Sequence, residues 1–113
     1  MTELMQDSFR TLGPAEAIPN DFVVPYYLCD RKLRVSVARV EDHLYAFDDL
    51  CTCAVPRCPL SGGLLIGTTI MCQCHGSEFD ITSGIVKSGP ATTPLHVHDV
   101  REVDGVIQLR DQR

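Results

Sequence analysis

Five of the six cysteines in this 113-residue chain lie in one short segment, between positions 51 and 74. Cys51 and Cys53 form a first pair, and Cys72 and Cys74 precede His75 in a second group. A C-x-C step is too short for an ordinary disulfide between its own members. Each group can instead offer two donors on one tight loop to a single metal centre. These donors are Cys51 and Cys53 in the first group, and Cys72 and His75 in the second.

The spacing between the two groups allows them to meet. Eighteen residues separate Cys53 from Cys72, enough for an out-and-back hairpin that brings the two loops together. Three thiolates and one imidazole are a common structural zinc set, and the same donors also bind iron. His96 and His98 alternate with apolar residues on a later strand, which indicates polar side chains on an exposed strand face rather than ligands.

Strand patterns dominate the rest of the chain. Residues 33–40 alternate apolar with smaller or charged side chains, which is typical of a half-buried strand, and 43–47 form a second short strand. Residues 67–72 and 84–89 are β-branched runs bounded by glycine. Near the end, the Asp-Gly pair at 104–105 predicts a type I′ hairpin turn. Seven prolines interrupt every helix-length window, so we predict an all-β fold of antiparallel sheets and hairpins.

One region departs from this alternation. Between residue 48 and about residue 89, cysteine, glycine and proline replace the alternating pattern. We interpret this region as a loop-rich insertion that the strands carry and that the cysteine donors staple, because long loops seldom stay ordered unaided. Residues 1–113 are expected to form a single domain, since this length supports one modest core.

Composition limits the function classes. Ten Lys and Arg against fifteen Asp and Glu give a formal charge of −5, which disfavours nucleic acid as a partner. The first ten residues have no apolar signal region, and no apolar run approaches the length of a membrane span. We expect a soluble cytoplasmic protein, and in that compartment a cysteine cluster is more often metal-binding or catalytic than a disulfide framework.

The second cysteine group resembles a known family closely. The stretch CQCHGSEFD, residues 72–80, matches the second ligand box of the Rieske [2Fe–2S] proteins, C-x-x-H-G-x-x-F-D. CPLSGG at 58–63, TSG at 82–84 and GPATTPL at 89–95 are also similar to that family, and the resemblance runs from about Phe22 to Leu109. It implies a Rieske fold with an inserted cluster-binding subdomain, and one [2Fe–2S] cluster as cofactor.

The first box departs from the family pattern. Where the family has C-T-H, this chain has Cys51, Thr52 and Cys53. In a Rieske centre two thiolates hold one iron and two imidazoles hold the other. The resemblance here implies Cys51, Cys53, Cys72 and His75 as the ligands. A third thiolate makes the ligand set more negative, so we expect a reduction potential below that of an ordinary Rieske centre.

The resemblance also bears on the remaining cysteines. Cys74 stands where high-potential Rieske proteins have a bridging cysteine, and Cys58 lies two residues later than their second one. These two residues either form a disulfide over the cluster or remain two thiols. Ser77 matches a residue that donates a hydrogen bond to a cluster sulfide in those relatives, whereas Phe79 replaces a tyrosine that donates a second. Cys29, in an apolar stretch, is predicted to be a core residue.

The function that the resemblance implies is electron transfer and not catalysis. The small soluble members carry electrons from a flavin-dependent reductase to the terminal oxygenase of an aromatic-ring-hydroxylating dioxygenase, and we expect a monomer of this kind. No nucleophile–base pair, phosphate loop or mononuclear iron triad is present. Two alternatives stay open: a small Rieske-like subunit of a nitrite-reductase-type enzyme, and a zinc-stabilised interaction module.

Overall fold

The computed structural model describes residues 8–52 and 58–110. Within these residues the chain forms eleven β-strands: β1 Phe9–Pro14, β2 Phe22–Leu28, β3 Leu33–Val40, β4 His43–Asp48, β5 Leu64–Ile66, β6 Thr69–Met71, β7 Glu78–Asp80, β8 Val86–Ser88, β9 Val97–His98, β10 Val100–Val103 and β11 Val106–Arg110. Two short 3₁₀ turns, Ala15–Ala17 and Leu60–Gly62, complete the regular structure. No described helix is long and apolar enough to cross a membrane.

The strands form three antiparallel sheets. A three-stranded sheet has the order β1-β11-β10, a four-stranded sheet the order β2-β3-β4-β9, and a second four-stranded sheet the order β5-β6-β7-β8. We refer to them as the base sheet, the central sheet and the cluster-side sheet. The prediction of an all-β fold built from antiparallel sheets and hairpins is confirmed.

The central sheet is packed on both faces. Val35 and Val37 of β3 join a core with Ile107 and Leu109 of the base sheet. On the opposite face, Ala38 joins a second core with side chains of the cluster-side sheet. The prediction of a half-buried strand at 33–40 is therefore wrong in one respect. Small side chains on its second face, Ser36 and Ala38, let the cluster-side sheet pack closely there, so this face is also buried.

The second core surrounds the predicted site. Its fully buried members include Phe47 from the central sheet and Ile70 and Phe79 from the cluster-side sheet. Cys51 and Cys72 belong to the same core and have no exposed surface. These two of the three predicted thiol ligands are thus at the inner side of the loops, against the packed sheets.

The C-terminal hairpin forms as predicted. Asp104 and Gly105 connect β10 and β11 with φ angles of 53° and 81°, the paired positive values of a type I′ turn. The predicted strands at 67–72 and 84–89 are shorter than expected, at Thr69–Met71 and Val86–Ser88. Strands β1, β2, β5 and β7 were not predicted. Strands β1 and β2 contain glycine or proline, and strands β5 and β7 have three residues each.

Candidate iron–sulfur site

The first loop is closed at its base by the backbone. The N–H of Cys51 donates to the carbonyl of Cys58 over 2.9 Å, and Leu50 forms an isolated antiparallel bridge with Pro59. One step further out, the N–H of Leu60 donates to the carbonyl of Asp49 over 2.5 Å. Cys53 lies outside the described residues, between the two ends of this loop. Its place in the ligand set therefore stays a prediction.

The second loop places one buried thiol beside an exposed imidazole. It follows β6, and the N–H of Cys72 donates to the carbonyl of Ser77 over 2.8 Å. The N–H of Gly76 donates back to the carbonyl of Cys72 over 2.9 Å, with Gly76 at a φ of 81°. Glycine adopts this left-handed conformation without the strain that a Cβ would add. The resulting tight turn buries Cys72 and leaves His75 exposed.

A disulfide joins the two loops. Cys58 of the first loop is bonded to Cys74 of the second, with a Cα–Cα separation of 6.4 Å. Of the two possibilities left open by the sequence, the structure has the bridge. The sulfur atoms of Cys58, Cys72 and Cys74 all lie within 4.8 Å of one another. The bridge therefore runs directly beside the predicted ligand Cys72.

Ser77 and Phe79 occupy the interior behind the second loop. Both side chains are fully buried. The Ser77 hydroxyl accepts a hydrogen bond from the N–H of Ala91 over 2.9 Å, and because it acts there as an acceptor, its own hydrogen is left to donate. Phe79 packs in the core with no hydroxyl to offer. The geometry suits the expectation of one side-chain donor where high-potential relatives have two.

Two expectations about single residues are wrong. Cys29 lies exposed in the turn after β2 instead of in the core, because the apolar stretch that precedes it ends at Leu28. His98 is not an exposed polar residue of a strand face: its side chain is 8% exposed, and its Nε2 lies 2.8 Å from a carboxylate oxygen of Asp48. His96 is exposed, as predicted, and its ring contacts that of His98 with centroids 4.7 Å apart.

Sequence reasoning missed the polar network beneath the first loop. Asp49 is fully buried and receives hydrogen bonds from Arg34, Ser36 and Ser61. A signal for it was present in β3, where Arg34 and Ser36 alternate with valines and so share one strand face. Nothing in the sequence showed that this face would be covered.

The donors that the described residues supply suit an iron–sulfur cluster. Cys51 and Cys72 offer thiols shielded from water, and the second loop offers an imidazole at the surface. Thiolates on one side and imidazole on the other are the donor chemistry of Rieske centres. The chain could hold the cluster through Cys51 and Cys72 with His75, and with Cys53 as the further ligand that the sequence predicts.

Known proteins are similar to this chain in sequence. The chain is 35% identical over 79 residues to ferredoxin CarAc of Metapseudomonas resinovorans, which covers 70% of this chain and 72% of the relative. It is 30% identical to the anthranilate 1,2-dioxygenase ferredoxin subunit of Burkholderia cepacia, over 96% of this chain and 97% of the relative.

Solved structures agree with these relatives. The Sphingomonas yanoikuyae B1 ferredoxin superposes with a TM-score of 0.83 at 25% identity, over 93% of this chain and 100% of the other. A chain of the complex of reduced oxygenase and oxidized ferredoxin in carbazole 1,9a-dioxygenase superposes with a TM-score of 0.80 at 28% identity, over 93% of this chain and 94% of the other. The Rieske [2Fe–2S] domain model matches residues 8–102. The chain belongs to the Rieske [2Fe–2S] domain family.

Proposed function

We propose that this protein carries single electrons from a flavin-dependent reductase to the terminal oxygenase of an aromatic-ring-hydroxylating dioxygenase system. The observation that carries the proposal is the end-to-end similarity to a dioxygenase ferredoxin subunit, over 97% of that relative's length. The similarity covers the whole of a relative that is itself an electron-transfer component. The alternative of a nitrite-reductase-type subunit has no such support.

The burial of the predicted ligands favours a one-electron carrier. When bound, the [2Fe–2S] cluster supplies reversible one-electron transfer. Cys51 and Cys72 hold their thiols in the core, where water is excluded, and the 3₁₀ turn with Leu60 closes the first loop behind them. Among the donors that the structure describes, His75 is the exposed one, so its ring gives a short covalent path between the interior and a partner protein.

Both partners are expected to dock at the same face. The exposed side chain of Gln73 lies two positions before His75 on the second loop, and the first loop carries Thr52, whose hydroxyl donates to the carbonyl of Thr93 over 2.6 Å. Electrons would enter and leave through this one end, so reductase and oxygenase should compete for it. Small transient interfaces of this kind are typical of redox partners. We further propose that the protein works as a cytoplasmic monomer.

Reconstitution tests the proposal. NADH, a cognate flavoprotein reductase, this protein and the terminal oxygenase are combined, and ring hydroxylation is measured. Omission of this protein should abolish product, because the reductase then has no carrier to reduce. If the reductase feeds the oxygenase equally well without it, the carrier function is contradicted.

A matched pair of variants locates the docking face. Gln73→Lys places a charge beside His75, and Thr11→Lys places the same charge on β1 of the base sheet. We expect Gln73→Lys to slow both electron steps and Thr11→Lys to slow neither.

The metal content separates this proposal from the zinc-stabilised module. The purified protein should contain iron and acid-labile sulfide in equal amounts, whereas a zinc-stabilised module would contain zinc in their place.

A further inference from the structure

A buried carboxylate lies at the point where the central sheet passes into the first cluster loop. Asp49 follows the last residue of β4 and precedes Cys51 by two positions. Its side chain has no exposed surface. A charge in such a place is stable only when it is paired and its oxygens are hydrogen-bonded. Both conditions are met here, by donors from two separate parts of the chain.

The first donors come from strand β3. Arg34 donates from Nε over 2.9 Å and from its second terminal nitrogen over 2.7 Å, both to Oδ2 of Asp49. The hydroxyl of Ser36 donates to Oδ1 over 2.6 Å. Strand β3 is packed on both faces, so these donors belong to the most firmly held element of the fold.

The second donors come from the 3₁₀ turn that follows Cys58. The backbone N–H of Ser61 donates to Oδ1 over 2.8 Å, and its hydroxyl donates to Oδ2 over 3.2 Å. The backbone of Asp49 also takes part, since its N–H donates to the carbonyl of Arg34 over 3.0 Å and its carbonyl accepts from Leu60. Asp49 thus connects both ends of the first loop to β3.

We propose that Asp49 is a positioning residue for the iron–sulfur cluster. By fixing the start and the end of the first loop against β3, it sets where the Cys51 thiol lies relative to the second loop. A contribution to stability alone is a weak explanation for the arrangement, because the cost of burying the Asp49 charge offsets much of what is gained by pairing it with Arg34, whose side chain is 38% exposed. A fully satisfied buried network does, however, hold one geometry. The inference rests on the proposed function, since it requires that the chain bind the cluster.

The test compares the intact cluster protein with Asp49→Asn. This change keeps the size of the side chain but turns one acceptor into a donor that faces other donors and leaves Arg34 without its carboxylate. Residues that orient metal ligands from behind typically change metal affinity by about 10–100-fold. We therefore expect the rate at which a chelator removes iron to rise by about 10–100-fold. The electron paramagnetic resonance g-values of the reduced protein should shift, because the first loop no longer holds one geometry.

Two control variants separate positioning from other effects. Asp30→Asn makes the same chemical change in an exposed pair, where Arg10 donates to both carboxylate oxygens over 2.8 Å, and should leave iron loss unchanged. Leu109→Ala lowers stability through the base core, which lies on the other face of the central sheet. Its g-values should match those of the wild type even where its unfolding free energy is as low as that of Asp49→Asn.

A milder variant keeps the inference testable if Asp49→Asn does not fold. Ser61→Ala removes one hydroxyl donor and leaves the charge pair in place, and we expect a smaller rise in the rate of iron loss with a shift of the g-values in the same direction. Wild-type rates and g-values in both variants would overturn the positioning function. The positioning function would also be overturned if Leu109→Ala, at the same unfolding free energy as Asp49→Asn, lost iron equally fast and showed the same g-values as Asp49→Asn. Wild-type protein without iron would contradict the proposed function itself.

Discussion

The residue at position 53 decides how much negative charge the predicted ligand set carries. Rieske centres have reduction potentials of about −150 to +300 mV, and four-thiolate plant-type ferredoxins lie near −400 mV. We expect Cys53→His to keep the cluster and to raise the midpoint potential by on the order of 100 mV, because an imidazole replaces a thiolate charge. Redox titration followed by optical absorption measures the change.

The matched variant at this position is Cys53→Ala, which removes the donor altogether. It should lose iron and sulfide, whereas Cys53→His should retain both. An unchanged potential in the histidine variant, or a full cluster in the alanine variant, would show that Cys53 is not a ligand.

Candidate ligands could be named from the sequence because metal chemistry restricts residue type and spacing together, and the ligand set stays a prediction. Cys72 and His75 are recognisable from a nine-residue stretch, without knowledge of the fold. Asp49 and Cys29 were not predictable in the same way. Whether a carboxylate or a thiol is buried depends on which elements cover it, and the turn after β2 exposes Cys29 although apolar residues precede it.

At the scale of elements, the Cys58–Cys74 bridge connects the loop after β4 with the loop after β6. It closes a sequence separation of 16 residues, and a bridge over such a distance restricts the unfolded chain by about 3 kcal/mol. We expect the double variant Cys58→Ser/Cys74→Ser to lower the free energy of unfolding by about this amount. Chemical denaturation of the oxidised proteins under argon measures it.

The exposed Cys29 provides the control for this prediction. Cys29→Ser removes a thiol that takes part in no disulfide and should leave the free energy of unfolding unchanged. Alkylation of the denatured, unreduced wild type should label Cys29 and spare the bridged pair. Complete labelling of Cys58 and Cys74 would contradict the bridge.

Element prediction succeeded where the pattern was long enough to show a period. Strand β3 has eight residues and was predicted at 33–40, the bounds that the structure has. The cluster-side sheet was missed as a sheet because its strands have three residues each, too few to separate alternation from chance. Those short strands are specified by pairing with one another, as in the register of Ile70 with Phe79, and not by local sequence.

At the scale of the whole molecule, one stretch of the predicted docking end has no charged residue. Residues 58–77 contain no Asp, Glu, Lys or Arg, although the chain as a whole carries a formal charge of −5. The molecule is 44 Å long, and exposed charges are screened over about 8 Å at physiological ionic strength. Arg57 precedes this stretch and Glu78 follows it, so a partner that docks on the second loop itself would meet few charged side chains.

This uncharged stretch predicts how electron transfer to the oxygenase depends on salt and on surface variants. We expect the second-order rate to change by less than about threefold between 0.05 and 0.3 M salt. Leu64, half exposed and paired with Met71 directly before Cys72, lies at the cluster end of β5. Leu64→Asp should lower the rate by about tenfold, the effect of about 1.4 kcal/mol, whereas Glu16→Lys near the base sheet should not. Stopped-flow absorption measures both, and a steep fall with salt would contradict the prediction.

The hydrogen bond between the N–H of Asp48 and the carbonyl of His96, 3.0 Å long, has a consequence for protein engineering. It places the start and the end of the whole cluster-bearing segment side by side on the central sheet, although 47 residues, 49–95, lie between them. A segment whose two ends meet can be exchanged between hosts without moving the strands that receive it. Residues 49–95 therefore form a module that could be recombined among related scaffolds whose β3 keeps the Arg34 and Ser36 donors to Asp49, to give a chosen host the redox properties of this chain.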